Sequence, residues 1–293
     1  MMFRLVVTLG VDYHRRVGTE AVLSLQYANP EPHPVIEKEQ SRSEQAGTEV
    51  LTFESSIVPY RLEKRIYVLY TAKVHPRQFP DKDLLNLTEE DKLIVFTVLD
   101  GFETIEKECN EAGSPLLWYK KPDLSQIIRQ VDRVQWRQPV ATVGGNLLSN
   151  LITGHGLPNA NHRTSLSFLE TYLQTFDSTF EIPDTGVSGE WYDWSADFVQ
   201  ESKRLLMMSR KAPMFRYLVQ WGCEHIERKN GDSIYLQDYN IDVDDPYSHF
   251  RSKHKKLCTD FVRRVLDRTE NQYLIDKEDP GKTVFLDRLA SDQ

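Results

Sequence analysis

The stretch of this chain richest in reactive side chains is residues 151–172, LITGHGLPNANHRTSLSFLETY. His155 stands between Gly154 and Gly156, and a proline, two asparagines, a second histidine and an arginine follow it closely. An apolar helical pattern then begins at once. A plain turn between two helices needs one or two polar residues, so this surplus indicates a site.

The residue types of this stretch predict chemistry on phosphate. Gly154 and Gly156 allow the backbone to turn sharply at the end of a helix. The next helix is predicted to begin within residues 161–164, so its first N–H groups face the loop and form an anion site. Arg163 adds a bidentate phosphate ligand, and His155 has a protonation midpoint suited to a general base. The spacing therefore indicates phosphoryl or nucleotidyl transfer to a hydroxyl, or else a helix–loop–helix corner whose polar groups are satisfied.

The order of residues 155–164, HGLPNANHRT, resembles the signature loop of the Fic/Doc family. That loop has a histidine, a phenylalanine, an acidic residue or asparagine, a glycine or alanine, an asparagine, a glycine or lysine, and an arginine. The matching positions are His155, Asn159, Ala160, Asn161 and Arg163. The alanine is typical of the Doc-like branch rather than the AMP-transferring branch. The resemblance extends over residues 85–228 with decreasing clarity.

The resemblance implies a role for each residue of the loop. His155 would deprotonate a hydroxyl of a target protein. The phosphates of ATP or another nucleoside triphosphate would be bound by Gly156, Ala160, Asn161, His162 and Arg163. Asn159 stands where the family places a carboxylate that binds Mg²⁺. The implied function is transfer of a phosphate or an AMP-type nucleotide group to a protein.

Several positions depart from the family pattern. Asn159 offers a neutral amide oxygen, which is a weaker magnesium ligand than a carboxylate. Ala160 adds a methyl group where a glycine would let phosphate approach, and Leu157 replaces the phenylalanine that anchors the loop. Leu166 occupies the place of the second arginine of the AMP-transferring branch. The missing acidic residue at 159 motivates an alternative, a Fic-like module that binds nucleotide or a partner with little or no turnover.

The loop must be positioned by the secondary structure around it. The sequence predicts that this secondary structure belongs to an α+β protein with three parts. Residues 1–84 are expected to be β-rich, with strands in 2–13, 50–62 and 65–74 and a charged, proline-containing loop between the first two. Residues 85–228 are expected to form an all-helical Fic-like core. Residues 229–293 are expected to form a helical C-terminal extension.

Local signals place the helices of the predicted core. Thr88 and Asp123 are expected to cap helices, and Gly101 to end a first helix. Pro139 is expected in the first turn of the helix that ends near Gly154.

Further along, the helical pattern continues through 195–229, and a turn at 229–232 predicts a hairpin. Residues 250–269 read as a final basic helix. Segment 114–122 is either an extended or hairpin element that holds a target peptide beside the loop or an ordinary connector.

Composition bounds the class of protein. With 293 residues and a net charge of −8, the chain argues against a general nucleic-acid binder. No apolar run reaches the roughly 20 residues that a membrane helix needs, and the first residues lack a signal-peptide pattern. The chain has three cysteines, a small and odd number that does not indicate a disulfide framework. A cytoplasmic location is therefore expected.

A third alternative depends on zinc-type ligands near the C-terminus. The candidate ligands are Cys223, His225, His249, His254 and Cys258. A set of this kind would make the chain a zinc-stabilised interaction protein. The spacing matches no established zinc pattern.

Overall fold

The computed structural model describes residues 9–17, 21–28, 66–67, 76–77, 84–186, 191–220, 224–227 and 233–291. Contacts along the chain divide it into two units. One consists of Met1–Val74 and Met207–Tyr247, and the other of His75–Leu206 and Ser248–Gln293. The second unit, called here the helical unit, carries the polar loop. The three predicted parts are consecutive in the sequence. Each of these two units instead combines two separate segments of the chain.

The described residues are mostly helical, with small sheets, which agrees with the broad α+β class. The helices are α1 Glu89–Glu111, α2 Leu124–Asp132, α3 Val140–Gly154, α4 Asn161–Gln174, α5 Asp193–Gln220, α6 Pro246–Arg268 and α7 Lys282–Ser291. Two short 3₁₀ turns, Leu236–Asp238 and Gln272–Leu274, lie outside them.

Two small sheets lie in the other unit. The strands are β1 Leu9–Val17, β2 Ala21–Ala28, β3 Ile66–Tyr67, β4 His225–Glu227 and β5 Ser233–Tyr235. The first two pair antiparallel, with Leu9 opposite Ala28 and Val17 opposite Ala21. The second sheet has the order β3–β4–β5, in which β3 is parallel and β5 antiparallel to β4.

The strands confirm some sequence predictions and correct others. The helix predicted through residue 229 is wrong at β4, because that segment bonds to two strands instead of to its own preceding turn. The predicted hairpin is confirmed by the pairing of β4 with β5, and its turn at 229–232 lies outside the described residues. The predicted strand 50–62 and most of the charged loop before it also lie outside them.

Local capping signals are confirmed. The hydroxyl of Thr88 accepts a hydrogen bond from the backbone N–H of Asp91 at 3.1 Å. The carboxylate of Asp123 accepts one from the N–H of Gln126 at 2.9 Å. Each satisfies an N–H group that the helix itself leaves unpaired.

The predicted break at Gly101 is wrong, because α1 continues through it. A Cβ atom at this position would lie 2.7 Å from Oγ of Ser167 on α4. Glycine here therefore allows α1 and α4 to approach each other, and the packing between the helices offsets its poor helix propensity.

An apolar core within the helical unit holds α3 and α4 in place. Tyr172 of α4 contacts Phe285 of α7 edge-to-face, with ring centroids 5.7 Å apart. Phe198 of α5 stacks on Phe261 of α6 at 3.9 Å. The sequence interpretation treated α6 as the final helix, which is wrong, since α7 follows it and contributes Phe285 to the core.

No helix in the described part of the chain is long and apolar enough to cross a membrane.

Candidate functional site

The loop between α3 and α4 contains two residues in the left-handed backbone region. His155 follows the last residue of α3 with φ 53° and ψ 45°, and Ala160 precedes the first residue of α4 with φ 50° and ψ 23°. Neither is a glycine, so each carries a cost of order 1–3 kcal/mol that the surrounding structure must offset. The turn at the end of α3 therefore falls on the histidine rather than on Gly154.

Asn161 closes the loop from within. Its Oδ1 accepts a hydrogen bond from the N–H of Leu157 at 3.1 Å. Its Nδ2 donates to the carbonyl oxygens of Leu157 at 3.2 Å and of Asn159 at 3.3 Å. The side chain is buried, so the amide predicted to bind phosphate braces the loop backbone.

Asn159 joins the loop to a neighbouring segment. Its Oδ1 accepts from the N–H of Ala160 at 2.8 Å, and its Nδ2 donates to the carbonyl oxygen of Leu117 at 3.0 Å. Both ends of the amide are therefore engaged. A magnesium ion at Oδ1 would have to share this oxygen with the bond from Ala160 and would meet a neutral amide rather than a carboxylate, so Asn159 offers a weak form of the magnesium ligand that the resemblance implies.

The segment that precedes α2 runs along this loop without forming a strand or hairpin. The N–H of Asp123 donates to the carbonyl oxygen of Gly156 at 2.8 Å, and the N–H of Tyr119 to that of Pro158 at 3.4 Å. The Lys120 ammonium donates to the carbonyl oxygen of His155. Segment 117–123 therefore supports the loop, with the N–H groups of Tyr119 and Asp123 directed at its carbonyl oxygens.

Two apolar features anchor the inner side of the loop. Leu157, which stands in the place of the family's phenylalanine, is buried in the core of the helical unit. A Cβ atom on Gly156 would lie 2.8 Å from Cγ1 of Ile127 on α2. Glycine is needed at 156 because α2 passes so closely.

Arg163 is directed at the carboxyl end of α1. Its Nη1 donates to Sγ of Cys109 at 3.3 Å, and its Nη2 donates to the carbonyl oxygen of Gly186 at 3.3 Å. The same Nη2 lies 3.5 Å from Oε2 of Glu108. A phosphate that bound this guanidinium would have to compete with the Glu108 carboxylate.

His162, which is half-buried, begins a chain of hydrogen-bonded side chains whose other members are buried. Its Nε2 lies 2.8 Å from Oγ of Ser202 on α5, which lies 2.7 Å from Nε2 of His254 on α6. Nδ1 of His254 in turn lies 2.8 Å from Oγ of Ser149 on α3. The sequence interpretation missed both serines, because no local pattern brings residues this far apart in the chain together.

His254 is held neutral by its position in this chain. Burial, with a smaller contribution from the positive charge of Arg251, lowers the pKa of His254 from 6.5 to about 3. Burial also raises the pKa of the Cys258 thiol, whose Sγ lies 3.6 Å from Nδ1 of His254. Both groups are therefore uncharged at neutral pH.

The zinc alternative gains no support from these positions. His254 and Cys258 do meet, but the imidazole is already bonded to two serines. Cys223 lies outside the described residues. Within the described ranges, no three or more histidine, cysteine, aspartate or glutamate side chains gather as a metal site.

Comparison with known proteins places the chain in a family. Residues 7–293 match the family described as "Family of unknown function (DUF8172)". The chain belongs to this family. No curated protein and no solved structure matches it. The family description names no activity, so a function for the loop must be argued from its residues.

Proposed function

We propose that the loop of residues 155–163 binds the phosphates of a nucleoside triphosphate and that His155 promotes transfer to a hydroxyl of a target protein. The observation that carries this proposal is the placement of the motif. His155 directly follows α3, and Asn161 to Arg163 form the first turn of α4, so a candidate base and a helix amino end flank one short loop. This is the arrangement that the resemblance to the Fic/Doc family implies.

The bound phosphates would be held mainly by backbone groups. The first N–H groups of a helix lack partners within the helix, and the helix dipole favours an anion at that end. The side chain of Asn161 contributes indirectly, because its three hydrogen bonds hold the loop in shape. Arg163 would contribute once its contact with Glu108 opens.

The transfer step itself needs one base. His155 would take the proton of the target hydroxyl as its oxygen forms a bond to phosphorus. The bond from phosphorus to the leaving group then breaks, releasing diphosphate in nucleotide transfer or a nucleoside diphosphate in phosphate transfer. No step is assigned to magnesium, because Asn159 offers only a neutral amide oxygen that already accepts a hydrogen bond from Ala160.

A second candidate function is nucleotide or partner binding without turnover. The amides of Asn159 and Asn161 are engaged with the backbone, and Arg163 is engaged with α1. A loop whose side chains are already satisfied can keep its shape and bind phosphate through N–H groups without stabilising a transition state.

One experiment separates the two functions. The full chain is incubated with labelled ATP, or another nucleoside triphosphate, and cell lysate, and label on proteins is counted for the wild type, His155→Ala and the control His225→Ala. Removing a general base lowers rates by about 10² to 10⁴. Label with the wild type and the control, but not with His155→Ala, supports transfer.

Calorimetry with the same nucleotide tests binding alone. Arg163→Ala should weaken binding, because a charge-assisted contact to phosphate contributes about 1.5–3 kcal/mol. Glu108→Gln should strengthen it, because it removes the competing carboxylate. Binding without label on any protein supports the second function, and the absence of both binding and label overturns both.

A further inference from the structure

A small cavity lies on the inner side of the loop. Its volume is about 10 Å³, and residues of α1 to α4 and of the loop itself line it. The polar side chains in this lining are Gln130, Asn161, Thr164 and Ser165. The rest of the lining is glycine and aliphatic side chains.

Two of these polar side chains lack partners. Gln130 of α2 is 1% exposed, and neither its Oε1 nor its Nε2 has a hydrogen-bond partner in the described part of the chain. Thr164 of α4 is also 1% exposed, and the same holds for its Oγ1. Buried polar groups almost always find a partner, and leaving one without any is costly.

The other two polar side chains are satisfied. The amide of Asn161 bonds to Leu157 and Asn159 of the loop. The hydroxyl of Ser165 donates to the carbonyl oxygen of Asn161 at 2.6 Å. The unsatisfied groups therefore belong to Gln130 and Thr164, on different helices that line the same cavity.

We propose that this cavity binds one internal water molecule that bridges Gln130 and Thr164. A water molecule can donate to Oε1 or accept from Nε2, and the threonine hydroxyl can serve in either direction. A cavity of this volume has room for one water-sized molecule. An ion is excluded by its desolvation cost, because the partners are neutral and the remaining walls are apolar.

The water links α2, which packs against the loop, to α4, which follows the loop. It joins α2 to α4 beside Gly156 and Leu157, and the hydrogen bonds from segment 117–123 reach the same part of the loop. The loop is thereby held by the water and by this segment. This proposal does not depend on nucleotide binding or transfer, and it stands or fails separately.

The direct test is a crystal structure of the full chain at a resolution that shows ordered waters. The proposal expects a density peak within hydrogen-bond distance of Gln130 and Thr164. An empty cavity, or side chains turned to bond each other directly, would overturn it.

Water relaxation dispersion provides a second measurement in solution, by counting long-lived internal waters. Gln130→Met keeps the side-chain length and removes the amide, and it should lower the count by one. The control Gln126→Met removes an amide that already donates to the carbonyl oxygen of Gly154 at 3.4 Å, and it should leave the count unchanged. An unchanged count in Gln130→Met overturns the proposal.

The direction of the stability change also separates a wet cavity from a dry one. In a dry cavity, Gln130→Met removes unsatisfied groups and should raise the urea midpoint. With a bridging water, Gln130→Met and Thr164→Val each lower the urea midpoint. The double variant should then lose less stability than the sum of the losses in the two single variants, because both remove the same bridge. The control Thr97→Val removes a hydroxyl already bonded to Leu93, and its effect should add to that of Gln130→Met. If the losses of stability in Gln130→Met and Thr164→Val are additive, the proposal of a bridging water is overturned.

Discussion

The neutral, buried His254 should make the stability of the helical unit depend on pH. Its imidazole is fully buried between Ser149 and Ser202, with Cys258 beside it and Arg251 as the nearby positive charge. Among the described residues, Arg251 is the charged group that contributes to its pKa. Protonating it in the folded chain therefore places a positive charge out of contact with water and near the charge of Arg251.

The sign of the effect follows from the two pKa values of His254. Burial lowers the value from 6.5 to about 3, so below pH 6.5 the unfolded chain binds a proton that the folded chain does not. Stability is fully present above pH 6.5 and is lost progressively as the pH falls toward 3. For these values the free energy of unfolding drops by about 2 kcal/mol at pH 5 and by about 3 kcal/mol at pH 4, relative to neutral pH.

His254→Gln isolates this contribution, because glutamine keeps an amide near the two serines and does not titrate. Urea unfolding is followed by circular dichroism and tryptophan fluorescence between about pH 7.5 and 4.5. Other titrating groups cancel when the variant is subtracted from the wild type. The stability advantage of the wild type should therefore shrink by about 2 kcal/mol on going to pH 5.

A matched control removes a hydrogen bond and keeps the titrating group. Ser149→Ala should be less stable than the wild type at every pH and should keep the wild-type pH dependence. A wild-type advantage over His254→Gln that stays constant from neutral pH to pH 5 would refute the reasoning. It would mean that His254 takes up its proton in the folded chain as readily as in the unfolded one.

Three further changes test contacts around the loop and core. Tyr172→Phe removes the buried bond to Oδ2 of Asp279 at 2.8 Å, and chemical denaturation should show a loss of about 1.5–3 kcal/mol. Asn159→Asp replaces the donor to Leu117 with a carboxylate oxygen facing a carbonyl, so it should lower the thermal midpoint at neutral pH; a higher midpoint would contradict this. Asn161→Ala removes three bonds to the loop, and hydrogen exchange should quicken there before it changes in α1; uniform exchange would argue against a local role.

Much of the helical framework could be predicted from short stretches of sequence. The caps at Thr88 and Asp123 are confirmed, because a capping bond joins residues only three apart. The apolar face of α4, including Leu169 and Tyr172, is buried as its 3.6-residue period predicts. The position of the polar loop between two helices was likewise predictable, since glycine and proline mark helix ends locally.

The strands were harder to predict than the helices. A helical pattern runs through residues 225–227, yet these residues form β4 because β3 and β5 supply its hydrogen bonds. Such partners lie far along the chain or across a turn. Local propensity is a weak guide where tertiary pairing decides the outcome.

The sequence by itself determined the residue types and the order of the polar loop, and tertiary structure decided what their side chains contact. The proposal of a base and an anion site rests on the type and order of His155 to Arg163. Only the packed structure directs Arg163 at Glu108 and connects His162 through Ser202 to His254. The physical reason is range, because caps and turns depend on neighbours a few residues away, whereas a buried polar side chain takes whichever partner the packing of distant helices brings within hydrogen-bond distance.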